Sequence, residues 1–222
     1  DAIFTSHNKF SFEVNNRFNF KNIFLDSIIN ISQVKYEKPD IIHNYFSDIN
    51  NLILLNNHKV NLRYKNKNLT LKGKGEIQVG SEIDEIKYLI NKTDEDLSIS
   101  TDLFLKDVNL KQHNFLKNYF PKINENINFK NQKLKINYNN KKLSLSGSGI
   151  VKIDKDFEDI DYFFEKKKNI TNFKTKLNLK NSSFKIDNLN YKKNDKSNMS
   201  LQITGQFKNN KSLNIDKFTL NE

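Results

Sequence analysis

His7, His43, His58 and His113 are the only imidazoles in a chain that has no cysteine. None has a second histidine at metal-ligand spacing, so no metal site is expected and each reads as a solvated or capping side chain. Two acidic groups stand in equivalent settings, Glu82, Asp84 and Glu85, then Asp156, Glu158 and Asp159. Neighbouring carboxylates can divide acid and base roles, but both groups fall where a short helix would begin, so capping and dipole interaction are the expected roles. Asp94-Glu95-Asp96 lacks the ligand spacing of a calcium loop and reads as a solvated turn. Lys166-Lys167-Lys168 reads as a solvated loop, with a headgroup contact as the alternative. Gly73-x-Gly75 lies inside an alternating apolar run instead of before a helix, so it is no phosphate loop, and no nucleophile elbow exists. No catalytic residue, metal or cofactor is expected.

The elements around these residues are built by duplication. Residues 41–110 align without a gap onto 115–184 at an offset of 74, with 22 of 70 positions identical. Asn44-Tyr45-Phe46 returns as Asn118-Tyr119-Phe120, and Leu69-Thr-Leu-Lys-Gly73-Lys-Gly75 as Leu143-Ser-Leu-Ser-Gly147-Ser-Gly149. Thr101-x-Leu103-x-Leu105-Lys106 returns as Thr175-x-Leu177-x-Leu179-Lys180. A repeat of this kind is one supersecondary unit that stacks on its neighbours. The chain therefore divides into 1–40 (the end of a preceding repeat plus an insertion around 26–40), 41–114, 115–188, and 189–222 as the start of a further copy.

Periodicity assigns the pieces. Residues 9–25 alternate as strands. The stretch after Pro39 (Ile42, Phe46, Ile49, Ile53) and its counterpart at 113–123 carry helical spacing. Period-two runs follow, Val60-x-Leu62-x-Tyr64 and Leu69 to Val79, then Leu134-x-Ile136-x-Tyr138 and Leu143 to Ile153, each pair joined at asparagines as a hairpin. Residues 83–90 and 157–164 fit either a short helix leading into a strand or a strand alone. Strands at 97–105, 173–179 and around Leu201-x-Ile203-x-Gly205 complete a mainly β fold. Its repeated antiparallel hairpins are expected to form a long curled sheet, an open groove, with one or two short helices per repeat.

Glycine inside a strand needs a reason. Gly73, Gly75, Gly147, Gly149 and Gly205 all fall on the apolar face, where they allow a bend, leave room for something against the backbone, or mark bulges. The net charge is +11. Lysines alternate with apolar residues along strands, which argues against a phosphate-tracking groove and hence against nucleic acid as a partner. Solvated faces and an anionic lipid surface are the two readings left for the charge. No run of 18 apolar residues exists. The start at Asp1, without an initiator methionine or leader, reads as an excised or processed piece.

The Leu-x-Leu-x-Gly-x-Gly hairpins at 69–75 and 143–149, Tyr119-Phe-Pro-x-Ile123, and the pattern from Phe173-x-Thr-x-Leu177-x-Leu179 through Leu189-Asn-Tyr191 to Leu201-x-Ile203-x-Gly205 resemble the AsmA-like superfamily of bridge-like lipid transport proteins. The resemblance covers about residues 41–222 and is nearest the YhdP-like branch. It implies a curled β-groove, apolar inside, that crosses the periplasm from an inner-membrane anchor lying outside this chain and carries phospholipid to the outer membrane. This segment would then be a middle fragment, touching both membranes through parts beyond it and periplasmic proteins as further partners. Acyl chains would lie on Leu69, Leu71, Gly73, Gly75, Ile77, Val79, Leu143, Leu145, Gly147, Gly149, Val151, Ile153, Leu201, Ile203 and Gly205. The alternative is a structural or adhesin-like β-repeat with a closed core that binds protein partners.

Overall fold

Asparagine turns and period-two runs determine the architecture. The computed structural model describes residues 2–37, 52–112, 114–194, 197–208 and 212–222. The strands are β1 (Ala2–Val14), β2 (Phe20–Glu37), β3 (Leu52–Lys65), β4 (Asn68–Gln78), β5 (Asp84–Lys92), β6 (Leu97–Lys111), β7 (Asn126–Asn139), β8 (Lys142–Lys152), β9 (Phe157–Lys167), β10 (Ile170–Leu179), β11 (Lys185–Ile186), β12 (Tyr191–Lys192), β13 (Met199–Lys208) and β14 (Ser212–Asn221). The fold is mainly β, with 75% of the described residues in strands, almost no helix among them, and one large antiparallel sheet of 12 strands that does not close. Its order runs β1 to β10 in sequence and then β13 and β14, while β11 and β12 form a separate two-stranded ribbon. Sequential neighbours pair from β1 to β10, which a chain of short hairpins makes almost obligatory, and only the β11–β12 ribbon interrupts the run before β13.

Two hairpin turns show how local chemistry sets the register. Asn66 and Lys67 have φ of 47° and 68°, and their counterparts Asn140 and Lys141 have 48° and 64°. Two left-handed residues in a two-residue loop make a type I′ turn, whose twist matches the flanking strands. Register then follows through Lys65↔Asn68, Leu62↔Leu71 and Val60↔Gly73.

Several expectations change. The helix expected after Pro39 lies outside the described residues, except that Ile53 belongs to β3. Its counterpart at 113–123 contains only a five-residue 3-10 turn, Asn114–Asn118, with Pro121 close behind to stop any helix. Residues 83–90 and 157–164 are strand alone, because Ile86, Tyr88 and Ile90 face Gly75, Gly73 and Leu71 across the β4–β5 ladder. Of the segment read as an insertion around 26–40, residues 26–37 are the second half of β2, paired from Phe24 to Glu37 with β3, and residues 38–40 lie outside the described residues. Between β10 and β13 the short ribbon β11–β12 turns through a 3-10 turn at Asp187–Leu189.

The described residues divide into two compact units, those within 2–37, 52–104 and 135–143 in the first, and those within 105–134 and 144–222 in the second. In the first, one face of β2–β6 carries continuous cross-strand rows, Ser27–Leu62–Leu71–Ile90–Ile99 and Ile29–Val60–Gly73–Tyr88–Thr101 among them. Val60 is the only buried hydrophobic residue described there, and the remaining apolar side chains of these rows are half-buried. In the second unit the equivalent face is packed. Val151, Ile153, Leu177, Leu179, Met199 and Leu201 form a buried cluster with Phe120, Ile123 and Phe184.

Candidate functional site

The glycines mark a device that occurs once in each copy. At Asn57, with φ 54°, β3 bulges, so that Asn57 and His58 together oppose Gly75 between the pairs Asn56↔Glu76 and Lys59↔Lys74. Asn131, with φ 52°, occupies the equivalent position in β7. Asparagine suits both places because its short polar side chain tolerates the left-handed region. A Cβ on Gly75 would come within 2.8 Å of the His58 Cα, and one on Gly149 within 2.9 Å of the Lys130 carbonyl oxygen. Across the next strand, the ring of Tyr88 lies over Gly73 and that of Tyr162 over Gly147, each occupying the space a Cβ would need (2.2 and 2.3 Å to Cζ). An aromatic ring laid over a cross-strand glycine restores the packing that glycine lacks.

The polar tips then close a small network. His58 Nε2 donates to the Glu76 carbonyl oxygen at 2.8 Å, which leaves Nδ1 to accept from the Tyr88 hydroxyl at 3.2 Å. In the second copy Gln132 Nε2 donates to the carbonyls of Ile150 (3.0 Å) and Lys130 (2.9 Å), and its Oε1 accepts from the Tyr162 hydroxyl at 2.9 Å. An amide does in one copy what an imidazole does in the other. The network therefore requires one acceptor and one donor, and no proton transfer. Burial pushes the Tyr88 phenol above its ordinary value and that of Tyr162 up to about 12, so both stay neutral donors. His58, expected to be solvated or capping, is instead buried within this network. His7 is exposed, and His43 and His113 lie outside the described residues.

The acidic groups also resolve. Glu158 is fully buried and its carboxylate accepts from the backbone N–H groups of Lys180 (2.8 Å), Asn181 (3.0 Å) and Ser182 (2.7 Å). It does cap, but the capped segment is the loop after β10 and not a helix start. Asp84 at the equivalent position is buried as well. In the same loop region the buried Lys193 ammonium donates to the carbonyls of Lys180 and Asn194, both at 3.1 Å. Asp94 forms a surface ion pair with Lys67 at 3.0 Å. Lys166 and Lys167 end β9, and Lys168 occupies the turn with φ 55°. Among the described residues no group of three or more histidines and acidic residues could hold a metal ion.

The fifteen positions expected to carry acyl chains separate into three environments. Leu69, Leu71 and Ile77 are half-buried on the face of the first unit, with Val79 just beyond β4; Leu143 is exposed and Leu145 half-buried. Gly73, Gly75, Gly147 and Gly149 lie beneath Tyr88, His58, Tyr162 and Gln132, and Gly205 lies against Phe173. Val151, Ile153 and Leu201 are inside the packed cluster, with Ile203 against it. Sequence reasoning passed over Gln132 and Lys193 entirely. Gln132 was detectable, since the alignment sets it against His58; Lys193 carried no signal, because its carbonyl partners come together only when the loops fold.

Comparison with protein-family models, with curated proteins and with solved structures gave no match. No helix among the described residues is long and apolar enough to cross a membrane.

Proposed function

We propose that the chain is a non-enzymatic segment of an intermembrane lipid conduit, with acyl chains shielded on the apolar face of β2–β6. The observation that supports this reading is a continuous apolar face across β2–β6 whose cross-strand apolar side chains, Val60 apart, are left half-buried. Exposed contiguous apolar surface marks a binding site. A chain laid along such a face is relieved of water at about 0.8 kcal/mol per methylene. Passage needs no chemistry beyond that, and the hydrogen-bonded networks under Tyr88 and Tyr162 would hold the sheet in shape while cargo moves. The curled open groove, short helices in each repeat, a periplasmic setting and contact with two membranes belong to the same reading, and rest on the resemblance to AsmA-like proteins. The buried cluster of the second unit favours a second reading, a closed-core repeat that binds protein partners.

Native mass spectrometry of the purified chain, followed by solvent extraction, separates the two. Phospholipid adducts are expected on the wild type and should vanish in a folded Leu71→Asp, Leu145→Asp variant. A clean ligand-free mass from a cooperatively folded wild type would instead favour the closed-core repeat.

A further inference from the structure

The opposite face of the first unit carries a feature that the acyl-chain reading does not use. Lys59 stands directly across from Lys74, and Lys74 across from Lys87, so three lysines form one row over β3, β4 and β5. Lys72, two residues before Lys74 on the same face, adds a fourth. Neighbouring strands are about 4.8 Å apart and same-face residues about 7 Å apart, so four ammonium groups share a patch the size of a small polyanion. Like charges placed directly opposite are destabilising. Only Asp102, opposite Lys87, offers a negative charge in the row, and among the described residues none of the four lysines forms an ion pair. The four lysines line a cavity of about 590 Å³ whose wall also includes Asn61, Leu89, Ser100 and the Asp102 carboxylate, four cations against one anion.

The second copy provides an internal control. The positions of Lys72, Lys74 and Lys87 are there Ser146, Ser148 and Asp161. Its lysines on this face stand on the outer strands, with Lys176 opposite Asp161 and Lys174 opposite Phe163. One copy thus spreads and pairs its charge where the other concentrates it around a concavity. We infer that the cavity lined by Lys59, Lys72, Lys74 and Lys87 binds a phosphate-bearing anion. The bound anion would relieve the repulsion along the row, and several ammonium groups contacting one multiply charged oxyanion give charge-assisted hydrogen bonds stronger than neutral ones. The site lies on the face away from the acyl-chain surface and stands independently of it.

The test is calorimetric titration of the whole chain with inorganic pyrophosphate at low salt, alongside flotation with phosphatidylcholine vesicles with and without phosphatidylglycerol. The variant Lys72→Ser, Lys74→Ser, Lys87→Asp places the second copy's own residues on an exposed face and should fold. It should bind at least tenfold more weakly, and its urea midpoint without anion should rise as the repulsion disappears. A Lys133→Ser, Lys176→Ser control should leave binding unchanged, and Leu71→Asp should leave it intact whatever becomes of lipid retention. Pyrophosphate binding lost in the triple variant identifies a soluble phosphate ligand; vesicle binding alone, lost in the same variant, identifies a lipid headgroup. Absence of both in the wild type, or equal weakening by the control variant, overturns the site.

Discussion

The two copies start from 22 identical positions out of 70 and reach different interiors. In the second, Leu177 and Val151 are buried against Phe120, Ile123 and Phe184; in the first, their counterparts Leu103 and Ile77 are only half-buried. The strands, the type I′ turns, the bulge and the tyrosine over glycine are common to both. Among the described residues the difference is cover, the first copy's counterpart of the Phe120 segment, around Phe46, lying outside them. In the second copy the segment around Phe120 and the loop carrying Phe184 supply a layer, and Glu158 and Lys193 hold that loop in place by its backbone N–H and C=O groups. The same hairpin unit therefore yields either a closed core or an available apolar face, according to what packs on it.

Removing the loop's anchor should have the largest effect. Glu158→Ala strands three backbone N–H groups, that of Ser182 buried, and leaves a cavity at a fully buried side chain, and is expected to cost about 3–5 kcal/mol in urea unfolding. A loss below 1 kcal/mol would mean that the cover does not depend on it. Next comes the cover itself. Leu177→Ala should lose about 3 kcal/mol and Leu103→Ala about 1 kcal/mol, since cavity cost follows how completely a side chain is enclosed; equal losses would erase the contrast between the copies. The shared device should respond alike in both. Gly73→Ala and Gly147→Ala each push the tyrosine ring off its strand and should cost about 1–3 kcal/mol.

A smaller effect separates the tyrosines by pH. The Tyr162 phenol titrates in the folded chain at about 12 instead of 10 because burial disfavours the phenolate. Its contribution is therefore complete below pH 10 and declines as pH rises from 10 through 12. Urea midpoints of the wild type should fall more steeply over that window than those of Tyr162→Phe. The smallest change is expected for His58→Gln, which installs the second copy's residue at the equivalent bulge and should shift stability by less than about 1 kcal/mol. A large loss would give the imidazole a role that Gln132 cannot fill.

Much of this was legible in the sequence, for identifiable reasons. Hairpins at Leu62–Leu71 and Ile136–Leu145 follow from strict alternation and an asparagine turn, both local signals. The strand at 83–90 was ambiguous because paired apolar residues fit two periods, and only pairing with β4 decides between them. The second half of β2 was missed although Ile29 and Ile31 alternate, because no copy of it exists elsewhere in the chain to align. What the glycines make room for was not readable at all. Tyr88 is fifteen residues beyond Gly73, and both directions, toward cargo or toward a protein ring, fit the same pattern. The capping role of Glu158 was readable but the segment it caps was not, since its partners lie 22 to 24 residues away in a loop without a motif.

The central claim is that the first unit offers its apolar face to acyl chains while the second has filled its own. Crosslinking with a diazirine-bearing fatty acid, mapped by peptide mass spectrometry, tests it directly. The account predicts labels on the strands carrying Leu62, Leu71, Ile90 and Leu103, and none on the peptides carrying Val151, Leu177 and Leu201. Equal labelling of the two sets, or none on either, would contradict it.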